Sequence, residues 1–134
     1  MKYLIDSDIF TQMVKGLRPE INTRLKTLKS GEGALSVITH AEHLYGVAHA
    51  SITSERFERA QRLIHFFGVL PITQDVSHHY GTLRAYLRAK GLPIGPNDMW
   101  IAAHALSLNC TLVTNNTREF SRVPKLKLEN WLIA

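Results

Sequence analysis

"YLIDSDIF", residues 3–10, is the stretch on which the reading of the whole chain turns. Three apolar residues, Tyr3, Leu4 and Ile5, run straight into two acids, Asp6 and Asp8, with one serine between them. Residues 2–5 read as a short buried strand and residues 8–15 as a helix directly behind it. Asp6 therefore stands where a buried strand stops. A carboxylate taken out of water there costs on the order of several kcal/mol unless it is protonated, hydrogen-bonded or bound to a cation. The rest of the chain has to supply that compensation.

Outward from this stretch, the alternation of strand and helix repeats. "ALSVI" (34–38) predicts a second strand and residues 39–50 a helix. "GVLPI" (68–72) predicts a third strand and "CTLVT" (110–114) a fourth, while "LKLENWL" (126–132) reads as a last edge strand and tail docked by Trp131. Between them lie helical patterns at 20–29, 54–67, 74–90, 95–108 and a short one near 117–120. In 54–67, Phe57, Leu63, Ile64 and Phe67 are expected to face inward, with Arg56, Arg59 and Arg62 elsewhere. Gly91 and Pro93 end the long helix, and Pro96 occupies the favoured first turn of the next. That next helix is apolar nearly all round and rich in alanine, which means burial with close backbone packing. Strands alternating with helices predict an α/β fold, a three-layer α/β/α sandwich around a mostly parallel sheet. With 134 residues, no repeat and no Pro/Gly linker, one domain spanning 1–134 is expected.

Composition narrows the classes of function. The chain is 45% hydrophobic and 20% charged, as in soluble globular proteins, and no apolar run approaches the roughly 20 residues of a membrane span. Only Tyr3, Leu4 and Ile5 precede the first acid, so no signal-peptide pattern is present. Cys110 is the single cysteine, which excludes an intrachain disulfide and makes a reducing cytoplasm the expected compartment. The formal charge is +5, from 16 Lys and Arg against 11 Asp and Glu. With Asp6, Asp8, Glu42 and Asp98 gathered at one site, seven acids would face sixteen bases elsewhere, and such a field attracts polyanions.

Those four acids fall at telling places. In a parallel sheet, sites form beyond the carboxyl ends of the strands, where helix N-termini converge. Asp6 follows the first strand, and Glu42 is expected in the first turn of the helix after the second. Asp98 opens the alanine-rich helix, and Asn115 and Asn116 follow the fourth strand. Singly, most have an ordinary explanation. Thr39 to Glu42 fits a T-x-x-E capping box, Asn116 to Glu119 could form another, and Asp8 and Asp98 suit positive helix N-termini. At Asp6 a capping role looks strained, and capping does not explain why four segments should deliver acid or amide to one edge. Gathered carboxylates repel one another unless a cation neutralises them. Hard oxygen ligands without Cys or His select Mg²⁺ or Mn²⁺, which can polarise a phosphate and lower the pKa of water.

Four motifs in register, "YLIDSDIF", "SVITHAEHLYG", "PIGPNDMWIAAHAL" and "TLVTNNTREF", together with the C-terminal "LENW", resemble the PIN-domain endoribonucleases, above all the VapC toxins of bacterial toxin–antitoxin pairs. The resemblance covers essentially the whole chain. It implies that Asp6, Glu42, Asp98 and Asn116 form the catalytic set, with Asp6, Asp98 and Glu42 holding Mg²⁺ or Mn²⁺, and that Asp8 and Thr114 support them. Asp8 stands where the family commonly has asparagine, and Asn116 where it commonly has aspartate. The implied reaction is hydrolysis of single-stranded or loop RNA, initiator tRNA among the candidates, leaving a 5′-phosphate and a 3′-hydroxyl. The implied partners are a VapB-like antitoxin and a second copy of the chain.

Two other readings compete. Asp6-Ser7-Asp8 after an apolar strand also fits a haloacid-dehalogenase-type phosphatase with Asp6 as nucleophile, which requires a strand just before Asp98. A non-catalytic RNA- or partner-binding module is the third. His40 and His43 lie three apart without an H-E-x-x-H or cysteine set, which is poor support for zinc, and His104 reads as a core residue. Arg56, Arg59, Arg62, Arg84 and Arg88 are either phosphate contacts or helix-surface partners of Glu55 and Glu58, and Arg118 is the RNA-binding base to test first. Trp100 and Trp131 read as core.

Overall fold

The computed structural model describes residues 1–133. The opening apolar tripeptide forms β1 (Tyr3–Ile5), followed by α1 (Ser7–Lys15) and α2 (Pro19–Thr27). Then come β2 (Gly33–Ser36), α3 (Val37–His49), α4 (Ser54–Phe67) and β3 (Val69–Leu70). The second half contributes α5 (Gln74–Lys90), α6 (Pro96–Leu108), β4 (Thr111–Val113), α7 (Thr117–Phe120) and β5 (Lys127–Glu129). The strands form one sheet in the order β3-β2-β1-β4-β5, and every pairing among the described residues is parallel.

Strand periodicity splits the core in two. Successive side chains point to opposite faces, so Leu4 and Leu112 join one cluster while Ile5 and Val113 join the other. On the first face, Leu83 and Leu87 of α5 and Ile101 and Ala102 of α6 cover the sheet. On the second, Ile9, Phe10 and Met13 of α1 and Ala60, Leu63 and Phe67 of α4 do so. The result is the expected three-layer α/β/α sandwich. α6 buries Ala102, Ala103 and Ala105 completely, as its all-round apolar pattern requires. Trp131 fixes the tail, its ring packed edge-on against Tyr3 with the Arg24 guanidinium carbon 4.7 Å from the ring centroid.

Three expectations are corrected. β2 stops at Ser36, and the β-branched run Val37-Ile38-Thr39 is helical, because the Ser36 hydroxyl caps α3 by accepting the Ile38 N–H at 3.1 Å. Propensity toward strand loses there to a cap. Phe57 is 43% exposed, and the buried stripe of α4 runs Ala60, Leu63, Phe67, with Ile64 only half-buried. A helix of 14 residues is about 21 Å long, whereas a four-residue strand such as β2 spans about 13 Å, so the first turn of α4 overhangs the sheet. Trp100 is half-buried rather than core, stacked on Tyr80 with ring centroids 3.9 Å apart.

Candidate active site

Register brings the first elements of the site together. Ile5 pairs with Leu35 on one side and Val113 on the other. Asp6, Ser36 and Thr114 are therefore the next residues along three neighbouring parallel strands, at the carboxyl edge where ligands bind in such sheets. Asp6 is 5% exposed, and both of its oxygens are occupied. Oδ1 accepts the Ser7 N–H at 2.8 Å, and Oδ2 accepts the Thr114 hydroxyl at 2.7 Å. Asp6 is thus the N-cap of α1 as well as the end of a strand, contrary to the expectation that capping would be strained there.

The neighbouring residues are held by equally specific contacts. Asp8 accepts the Ile9 N–H at 2.7 Å on one oxygen and the Asn115 N–H at 3.0 Å on the other, tying α1 to the segment after β4. Glu42 lies in the second turn of α3, not the first, and its Oε1 accepts the Ser7 hydroxyl at 2.6 Å. The Thr39–Glu42 capping box does not form: Ser36 is the cap, and Thr39 is inside the helix, buried, with its hydroxyl unpartnered. Asp98 is half-buried in the first turn of α6 behind Pro96.

The second expected capping box is also replaced by a longer-range arrangement. Asn116 donates its side-chain N–H to Glu119 Oε2 at 3.0 Å and its backbone N–H to the Thr114 hydroxyl at 3.0 Å. The other Glu119 oxygen accepts the N–H of Gly95, the residue capping α6, at 2.9 Å. Glu119 thereby stands beside Asp98, a placement missed at the sequence level. Its spacing from Asn116 signalled only a local cap, whereas its role is to bridge α7 to the start of α6.

The electrostatics follow from this crowding. Burial, then the neighbouring Asp8 charge, push the Asp6 carboxyl up to about 7. Burial again, then Glu119, Glu42 and Asp8, push Asp98 up to about 6. Asp8 is raised by burial against the pull of its amide contacts. Glu119 is instead lowered, by the Asn116 amide and the Gly95 N–H. Among the described residues none of Asp6, Asp8, Glu42 and Asp98 has a Lys, Arg or His partner within ion-pair distance. The four sit in one another's field without a counter-charge from the protein.

Does a divalent cation fit this set? Among the described residues no three Asp, Glu, His or Cys side chains close into a ready-made metal cage. A Mg²⁺ site needs less than that, since this ion usually keeps several waters and takes one or two carboxylates. Asp6 and Asp98, raised by burial first and by neighbouring acids second, offer oxygen donors that match that chemistry. Histidine does not contribute: His43 packs edge-on against Phe10, and its pKa is lowered by burial. His104 is a satisfied core residue, as expected, with Nδ1 2.9 Å from the Ser36 hydroxyl. That contact ties α6, which carries Asp98, to the cap of α3, which carries Glu42.

The bases sort differently from one another. Arg59 is drawn into packing, donating Nε–H to the Met13 carbonyl at 2.7 Å. Arg118 is exposed on α7, and among the described residues none of Arg56, Arg59, Arg62, Arg84 and Arg88 forms the ion pairs with Glu55 or Glu58 considered from sequence. The phosphatase reading fails on topology, because α5 and a connector, not a strand, precede Asp98.

Comparison with known proteins agrees with this geometry. The PIN-domain family matches residues 3–126. The chain is 36% identical to the Ribonuclease VapC2 of Rickettsia felis, over 98% of each chain. It is 32% identical to the tRNA(fMet)-specific endonuclease VapC of Shigella flexneri, again over 98% of each. Among solved structures, VapBC2 from Rickettsia felis bound to a DNA fragment from its promoter is similar with a TM-score of 0.88 at 34% identity, covering 98% of this chain and 99% of that one.

Proposed function

The chain belongs to the PIN-domain family, in its VapC branch, and we propose that it is a metal-dependent endoribonuclease toxin that cuts single-stranded or loop RNA to leave 5′-phosphate and 3′-hydroxyl ends. What supports this reading is that Asp6, just after β1, and Glu42, on α3, both lie close enough to Asp98, on α6, to act on it by charge, while among the described residues no Lys, Arg or His stands within ion-pair distance of the three.

Asp6, Asp98 and Glu42 would hold Mg²⁺ or Mn²⁺, with Asn116 completing the shell. When bound, the ion supplies neutralisation of phosphate charge and a lowered pKa for water. The chain's own residues do the rest. Thr114 and the Ser7 amide fix both Asp6 oxygens in place. Ser7 holds one oxygen of Glu42, leaving its other oxygen to orient the attacking water or accept its proton. Asp8 locks the Asn115 backbone and so sets the turn that carries Asn116. Arg118, exposed one turn away, would meet a flanking phosphate.

The biological setting follows the same reading: one nuclease domain over 1–134, a homodimer, a cytoplasmic location and a VapB-like antitoxin. Among the described residues no helix is long and apolar enough to cross a membrane. A groove of about 300 Å³ beside Ser7 and Glu42, with Phe10, Val14 and Ile52 in its wall and Lys15 at its rim, suits an apolar antitoxin segment. The substrate to try first is initiator tRNA, after the name of the Shigella flexneri relative.

The test is incubation of purified protein with total RNA and with initiator tRNA, with Mg²⁺ or Mn²⁺ and with EDTA, mapping the new ends. Cleavage that needs the ion, is lost in Asp98→Asn and leaves 5′-phosphates is the expected result. Binding of RNA without cleavage under every condition would establish the non-catalytic module instead.

A further inference from the structure

Between α5 and α6 lies a second depression, of about 430 Å³, lined by Tyr80, Arg84, Leu87, Arg88, Ile94 and Met99. Its floor is apolar, since Leu87, Ile94 and Met99 are all buried. Its rim is cationic. Arg84 and Arg88 are one turn apart on α5 and exposed, and among the described residues neither has a carboxylate partner. The only acid of α5, Asp75, is at the far end of the helix, engaged with Ser107 and His79. Arg84 is further held in place, donating to the Tyr80 hydroxyl at 3.0 Å, while the Tyr80 ring stacks on Trp100.

This groove is mechanically joined to the acids. Met99 in its wall is adjacent to Asp98 in the first turn of α6. The connector that forms its other wall is stapled twice, to the segment after α7 by Arg122 donating to the Pro93 carbonyl at 2.8 Å and to α7 itself by Gly95 donating to Glu119 at 2.9 Å. Glu119 is the residue that also holds Asn116. Strand-like polyanions bind where guanidinium groups track the backbone beside an apolar or aromatic floor for the bases. We propose that the α5–α6 groove is a second subsite for the RNA strand, with Arg84 and Arg88 on its phosphates and the Leu87–Ile94–Met99 floor under a base. The inference rests on the nuclease reading and adds the direction in which the strand leaves the acids, along α5. Tyr80 is a positioning residue, acting through Arg84.

The experiment uses the full chain in EDTA with a labelled single-stranded RNA, measuring anisotropy over a range of salt concentrations. Two single-strand phosphate contacts contribute about 1.4 to the slope of log affinity against log salt. Arg84→Ala/Arg88→Ala is expected to lower the slope by about that amount and to raise KM for cleavage while leaving kcat near wild type. Arg84→Lys/Arg88→Lys should recover the slope, and the remote Lys26→Ala should keep it. Tyr80→Phe, which keeps the ring and releases Arg84, should weaken binding with the slope intact. An unchanged slope in an alanine double variant that still cleaves RNA overturns the subsite and leaves the nuclease standing. A change in sedimentation of the double variant also overturns it, because the groove would then be a contact between copies. A wild type that neither binds nor cuts RNA removes the nuclease reading and the subsite together.

Discussion

The two ends of the central sheet treat their acids in opposite ways. At the amino edge, Glu32 sits just before β2 with Lys2 Nζ at 3.1 Å and the Lys29 N–H on its other side, and its pKa is lowered. At the carboxyl edge, four residues further along β1 from Lys2, Asp6 has only neutral donors and acidic neighbours, and its carboxyl is raised to about 7. The same fold thus gives the Glu32 carboxylate a cation and leaves Asp6 without one, at the place where the proposed metal ion would supply it. Perturbed acids collected in one place mark sites on this physical ground.

The largest effect should come from breaking the unbalanced edge. Asp98→Asn is expected to lower RNA cleavage by at least about 10²-fold, the scale of losing one strong electrostatic stabiliser, while Glu32→Gln leaves the rate unchanged in the same gel assay. Equal losses in both would erase the distinction between the edges. Next in size, Thr114→Val removes the hydroxyl that lowers Asp6. A roughly 10–100-fold fall in metal affinity is expected, as for other groups that orient a ligand, with the acid limb of the pH–rate profile moving to higher pH. A profile that stays in place would show that Asp6 does not control it.

Stability against pH sharpens the same contrast. Asp6 binds a proton more tightly folded, near 7, than unfolded, near 3.8, so the native state holds the extra proton between those values and the unfolded state does not. Metal-free protein should lose stability as pH rises from about 4 to 7. Melting temperatures in EDTA should fall over that window, and Mn²⁺ should restore more at pH 7.5 than at pH 5 because protons compete for the ligands. Asp6→Asn should make the EDTA curve shallower, leaving the fall that Asp98, raised to about 6, contributes at the acid end of the window. Glu32 runs the other way, its contribution present above the ordinary carboxylate range and lost as pH falls. The smallest effect belongs there: Lys2→Ala removes an exposed pair that salt screens, with no change in cleavage and a barely shifted melting curve.

How much of this could be read beforehand differs by residue. The placement of Asp6 after a strand and of Asp98 at the start of a helix was legible because the apolar pattern of each element is local, whereas Glu42 was expected one turn too early because the end of the preceding strand was set too late. The placement of Glu119 was not legible, since its distance of three from Asn116 is equally a cap pattern, and only the path of the connector brings it to Gly95, 24 residues away. The strand-to-helix change at Ser36 was misplaced by two residues because a β-branched run looks like strand until the cap is seen to be used.

Taken alone, the amino-acid order determined the alternation of strands and helices, the two-faced core and which acids stand at element boundaries, because burial periodicity and turn chemistry act over a few residues. Tertiary structure alone decided which donors meet those acids. Thr114 reaches Asp6 across 108 residues and Ser7 reaches Glu42 across 35. Such pairs are set by strand register and helix packing, which no short-range pattern contains.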